Sequence, residues 1–354
     1  MESPPSSTQG QPVRLPLLDG LRMLAAVGVV LFHIPAMRAQ VPFFNRTYLL
    51  VDLFFLLSGF VLTLSAEPRL RATLATAAFL RRRFARFWPV MAIGTTLGAL
   101  VFAMNAPLGQ IGILTVFALL MVPFPNTSGA PIFPLNGPQW SLFWELVANA
   151  LHGLLLKRLN DRGLLLLALA CGSALAAAVT AHDACDFGAV GSTWWLAALR
   201  IGWSYTMGCW FARRWLQGPP PALAPWWLAL ALPVLATCAL PLLPLSRGMG
   251  DAILVILVYP PLFRIVIAAR PPAGMKRPLE YLGTLSFPLY GIHVPVILAF
   301  RAIGETLAMG LAGLITALLL SALIARYDAL IRMQLGRIRD ALSRSRRARE
   351  RAVT

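Results

Sequence analysis

The chain has 354 residues, of which 58% are hydrophobic and only 13% charged, about half the charged share of a soluble protein. A mean hydropathy of +0.70 excludes an ordinary water-soluble domain, and excludes extended disorder except at the two ends. Lys and Arg outnumber Asp and Glu by 31 to 14, a net +17; nucleic acid is one reading of that balance, but the basic residues sit between apolar runs, as in a membrane protein obeying the positive-inside rule.

Apolar runs near 20 residues recur along the chain and predict an all-α, polytopic transmembrane bundle. Residues 1–13 are rich in Ser, Pro and Gln and are expected to be disordered. Ten spans follow, at roughly 17–37, 48–66, 88–104, 139–156, 164–180, 194–212, 223–244, 251–268, 282–303 and 307–325. The stretch 111–122 is too short to cross as a helix and is read as re-entrant or interfacial. The first span carries Arg22 and His33, exceeds a signal-peptide core in length and precedes no A-x-A site, so it is not read as a cleaved leader. The membrane domain is thus placed at 14–326, with a basic tail at 327–354 and no second, soluble domain. Cys171, Cys185, Cys209 and Cys238 form no metal-type spacing, and neither a disulfide framework nor a metal site is expected.

Orientation follows from arginine placement. With the N-terminus inside, the 67–87 loop, Lys157, Arg158, Arg162, Arg213, Arg214, Arg270, Lys276, Arg277 and the nine arginines from Arg326 to Arg351 all face inward. The outer side keeps only Arg38, Arg46, Arg247 and Arg301, which predicts N-in and C-in.

Polar side chains within spans are expensive and mark function by default. Arg22 and His33 are eleven residues apart, three turns plus about 20°, so they share a helix face about 16 Å apart. Snorkelling of Arg22 and an ordinary interhelical bond from His33 are the bland alternatives. Asp52 opens the second span at about the depth of His33, where an acid can orient an imidazole or merely cap a helix. Ser58 and Gly59 read as packing residues. The inner loop ends Arg81-Arg82-Arg83-Phe84-Ala85-Arg86; Arg82 and Arg86 share a face at i, i+4, and guanidinium forks suit phosphate, although membrane anchoring explains any inner arginine cluster. Trp140, Ser141 and Glu145 lie in the fourth span, and the Glu145 carboxylate needs a partner or a proton. Ser286, Tyr290 and His293 lie in the ninth, which Pro288 and Pro295 should bend. Depth groups His33, Asp52, Glu145 and His293 in the outer half and the arginines at an inner mouth.

Five motifs now stand in order: Leu-Asp-Gly-Leu-Arg with Arg22-x10-His33, Val51-Asp52-Leu53-Phe54-Phe55 running to Leu57-Ser58-Gly59-Phe60, Arg82-Arg83-Phe84-Ala85-Arg86 before Pro89, Trp140-Ser141-Leu142 with Glu145, and Leu282-Gly283-Thr284-Leu285-Ser286 leading to Tyr290 and His293. In these the chain resembles the membrane-bound acyltransferase-3 family, the bacterial integral-membrane O-acyltransferases, over residues 18 to 295. Departures at Phe287, Pro288 and Gly291 bear on the shape of the ninth span.

The resemblance implies an enzyme of the bacterial inner membrane that takes an acyl group, usually acetyl, from acyl-CoA inside to a sugar hydroxyl outside. It implies that His33 is the essential histidine and Arg22 its motif partner, and that Arg82, Arg83 and Arg86 face the CoA phosphates; the residues themselves suggest that Asp52 or Glu145 supports His33. Trp140, Ser141, Ser286, Tyr290 and His293 are expected to line the substrate channel. Acetyl-CoA enters as a co-substrate, with no permanently bound cofactor; the other partners are the carbohydrate acceptor and the bilayer, not nucleic acid, and the oligomeric state is left open. A transporter is the alternative, against which the sequence offers no paired, broken helices in two matching halves.

Overall fold

The computed structural model describes residues 14–328, so the expectations for 1–13 and for the tail beyond Asp328 lie outside the described residues. In chain order the helices are α1 (Pro16–Phe32), α2 (Pro35–Gln40), α3 (Leu50–Ser65), α4 (Glu67–Ala72), α5 (Thr76–Phe102), α6 (Leu108–Leu119) and α7 (Gln139–Leu154). They continue with α8 (Asp161–His182), α9 (Ala197–Gln217), α10 (Trp226–Ala239), α11 (Arg247–Ala252), α12 (Tyr259–Ala268), α13 (Ala273–Arg301) and α14 (Leu307–Asp328), with a π-helical segment, Ile253–Val258, joining α11 to α12. Among the described residues, extended pairing is confined to one isolated bridge, Pro131 with Val190.

Among the described residues, six helical segments are long and apolar enough to cross a membrane: Pro42–Ser65, Thr76–Phe102, Asp161–His182, Arg247–Ala268, Ala273–Arg301 and Leu307–Asp328. The other segments read as spans form helices that are shorter (α1, α7, α10) or less apolar (α9). The α6 helix rises only about 18 Å, well short of a hydrocarbon core, and turns off at Met121 in a left-handed conformation (φ 55°). The Arg81–Arg86 cluster is helical, forming the early turns of α5 rather than a loop.

Two helix pairs position the interior. In the first, α1 and α13 run parallel: Gly20 meets Leu279, Gly283 meets Asp19, and His33 meets His293. In the second, α3 crosses α9 so closely that a side-chain carbon on Gly59 would run into the Tyr205 carbonyl, and one on Gly208 into that of Leu56. Backbone cannot yield as a side-chain tip can. Gly59→Ala is therefore expected to cost at least about 1–3 kcal/mol, read as a lowered melting temperature of the detergent-solubilised protein; an unchanged melt would contradict the crossing.

Buried charge joins these helices. Arg200, 1% exposed, donates to Asp52 Oδ2 at 2.6 Å and to the Phe187 carbonyl at 2.9 Å. At the α4 end, Glu67 accepts from His152 (3.0 Å) and from Arg213 and Arg71, while His152 Nδ1 meets Tyr205 Oη at 3.0 Å. Burial works against the Glu67 carboxylate, but His152, Arg213 and Arg71 hold it below its ordinary pKa.

Proline shapes α13. Pro295 has no N–H, so the carbonyl four residues earlier, on Gly291, has no helical donor. The side chain of Asn136 supplies one, Nδ2 donating to Gly291 O at 2.8 Å, within the buried interior. Gly291 has no side chain to keep α13 from Val90 and Met91 of α5, which gives its departure from the family pattern a packing reason.

Candidate functional site

A cavity of about 150 Å³ lies among α1, α3, α5, α7 and α13. It has room for about five waters and is narrower than sites that engulf a drug-sized ligand. Arg22, Arg83 and Arg86 line it opposite a single carboxylate, Glu145; Ser58, Ser141, Ser286 and Tyr290 complete its polar wall. Seven of the residues singled out from sequence thus meet in one space, drawn from four helices.

Its charges are held in place. Arg83 donates to Glu145 at 2.9 Å, with both side chains largely buried, and Ser58 donates to the same carboxylate oxygen at 2.6 Å. Arg22 reaches Asp19, one turn before it, at 3.4 Å. Ser286 donates to the Gly283 carbonyl at 2.8 Å, inside its own helix. The Ser141 hydroxyl donates to the Pro138 carbonyl at 2.9 Å, so Tyr290 is the donor in their mutual 2.7 Å bond.

Beyond Tyr290 stand the two histidines. His33 Nδ1 lies 2.9 Å from the Val29 carbonyl, which can only accept, so that nitrogen carries the proton. By the same argument His293 Nδ1 carries one, 2.8 Å from the Tyr290 carbonyl. His293 Nε2 is then an acceptor, 3.2 Å from His33 Nδ1. The remaining nitrogen, His33 Nε2, is left unprotonated, and His33 is partly exposed whereas His293 is fully buried. This is how a general base is presented: oriented through one ring nitrogen and open at the other.

Five placements expected from the sequence differ in the structure. Asp52 does not orient His33; its carboxylate is taken by Arg200 and, at 3.5 Å, by Ser204. Glu145 belongs with the arginines of the cavity rather than with the histidines. Arg82 is exposed on α5 and absent from the cavity wall, because 100° per residue turns it away while Arg83 and Arg86 face in. Trp140 is buried against Phe55, with the Arg200 guanidinium 5.4 Å from its ring centre, and does not line the cavity. Ser58, read as packing, is instead a cavity residue that ties down Glu145. Arg200 and His152 were missed altogether, although both are polar residues within apolar helices, the signal that picked out Arg22.

Over 167 residues the chain is 35% identical to "Protein 2 in picA locus" of Rhizobium radiobacter, covering 41% of this chain and 84% of that protein. Over 150 residues it is 37% identical to "Acyltransferase MdmB" of Streptomyces mycarofaciens, covering 38% of this chain and 37% of that protein. No solved structure matches. Residues 15–326 match the acyltransferase-3 family, described as an acyltransferase domain, and that stretch contains the whole cavity and both histidines. The chain belongs to this family of membrane acyltransferases.

Proposed function

We propose that this protein is an O-acyltransferase of the bacterial inner membrane, moving an acetyl group from cytoplasmic acetyl-CoA to a hydroxyl of an extracytoplasmic carbohydrate, an exopolysaccharide or other envelope glycan. The observation that carries this reading is the free Nε2 of His33, set beyond Tyr290 from a cavity lined by arginine. Ten spans with both termini inside fit the arginine bias and put Arg22, Arg83 and Arg86 at the cytoplasmic mouth.

In this mechanism the arginines hold the anionic donor and the narrow cavity takes its thioester arm. His33 Nε2 accepts the proton of the acceptor hydroxyl as that oxygen bonds to the acyl carbon. The carbon–sulfur bond breaks, and the thiolate leaves inward with the electron pair. His293 Nε2 accepts from His33 Nδ1 throughout and steadies the imidazolium that forms. Tyr290, donating to Ser141, separates the arginine mouth from the histidines.

The test is mass spectrometry of surface glycans from wild type, a deletion strain and the complemented deletion. An acetyl-sized mass on one glycan, lost and then restored, supports the reading; no change on any glycan overturns it. Arg83→Gln is further expected to raise KM for acetyl-CoA about tenfold, the worth of one charge-assisted hydrogen bond, while KM for the acceptor stays put. Equal changes in both would remove Arg83 from the donor end.

A further inference from the structure

The positive-inside bias leaves four arginines outside, and three of them converge near the end of α1 that carries His33. Arg38, on α2, lies with its guanidinium 4.6 Å from the centre of the Phe32 ring. Phe32 touches His33 edge-on, centroids 5.3 Å apart, and on its other side meets Tyr48 at 5.2 Å. Over the Tyr48 ring, at 5.5 Å, stands Arg247. Arg301 closes α13 two turns beyond His293, and both Arg247 and Arg301 are close enough for their charges to bear on Arg38. The charge of Arg38 in turn bears on His33.

Two of these cations have partners. Arg247 pairs with Asp186 at 2.9 Å, and Arg301 with Glu305. The Arg38 side chain makes neither an ion pair nor a hydrogen bond among the described residues, and its Nε is buried without a partner. The fourth arginine, Arg46, is spent on Asp251. Converging like charges repel, and a guanidinium nitrogen shielded from water without a partner is costly. An anion from outside relieves both, and the guanidinium fork matches carboxylate and phosphate oxygens.

We infer that Arg38, with Arg247 and Arg301, selects an acceptor that is itself acidic: a sugar carrying a carboxylate or phosphate near the hydroxyl to be acylated. This rests on the acyl-transfer reading of His33. A neutral glycan gains nothing from the cluster, whereas an acidic one is drawn to the outer mouth and held with its hydroxyl at His33 Nε2.

The experiment uses a deletion strain complemented with wild type, Arg38→Gln, Arg38→Lys or His33→Ala, with equal protein in the membranes checked by blot. Envelope glycans are split by anion exchange into acidic and neutral pools, and ester-linked acetyl is measured in each. The expected result is wild-type-dependent ester in the acidic pool, cut about tenfold in Arg38→Gln and largely recovered in Arg38→Lys. In membranes supplied with saturating acetyl-CoA, transfer by the wild type at limiting acidic pool should fall as salt rises, a readout that needs no variant to fold. Ester confined to the neutral pool and lost in His33→Ala overturns the acidic acceptor while the acyl-transfer reading stands. No wild-type-dependent ester in either pool overturns both. Full ester in Arg38→Gln with no salt effect overturns the role of the cluster and leaves it to lipid phosphates.

Discussion

His33→Ala is expected to abolish transfer to the acceptor, with a loss of about 10²–10⁴ in kcat, the usual worth of a positioned general base. The fold should survive. His33 lies at the end of α1, is partly exposed, and among the described residues its side chain bonds only to Val29 and His293. Melting temperature and membrane abundance should therefore stay near wild type while product disappears. His293→Gln should fall between the two, because it removes the ring that meets His33 Nδ1 while the Val29 carbonyl still fixes the tautomer. Single-turnover transfer from labelled acetyl-CoA in membrane vesicles measures both. Wild-type turnover in His33→Ala would remove the histidine from the chemistry.

The second large effect falls on stability. Asp52→Ala leaves Arg200 with a full charge, 1% exposed, and only the Phe187 carbonyl still accepting from it. Stranding one member of a buried pair typically costs about 3–5 kcal/mol, a large part of the roughly 5–15 kcal/mol by which a protein is stable. Little folded protein should be recovered on size-exclusion chromatography in detergent. The double replacement Asp52→Leu with Arg200→Met should recover much of it, since apolar groups of similar volume often replace a buried pair at little cost. A direct role for Asp52 in proton transfer predicts the opposite: a well-folded, inactive Asp52→Ala, and a double variant as dead as the single.

These two residues mark where sequence reading succeeded and where it stopped. The phase of a helix is a one-dimensional property, so the common face of Arg22 and His33 could be read from spacing; the cost of charge in lipid flagged Glu145, and the fit of guanidinium to phosphate flagged the arginines before Pro89, before any partner was known. Partnership across helices is not one-dimensional. Asp52 and His33 read as sharing a depth, yet the carboxylate turns to Arg200, 148 positions away, because the close α3–α9 crossing brings that guanidinium nearer. Depth alone likewise put Glu145 with the histidines, whereas Arg83 and Ser58 claim it. Arg82 and Arg83 could be told apart only once the rotation of α5 was fixed, since the i, i+3 and i, i+4 relations to Arg86 look equally good on paper. The meeting of His33 with His293 needs the parallel pairing of α1 and α13, which joins two ends of the sequence.

The bond from Asn136 to Gly291 makes two distant positions a single unit of exchange. Pro295 alone would leave a carbonyl without a donor in the interior, and Asn136 alone would aim an amide at a carbonyl already taken. A chimera that imports the segment before α7 from one relative and α13 from another therefore inherits a fault unless both residues travel together, and that fault lies two positions from His293.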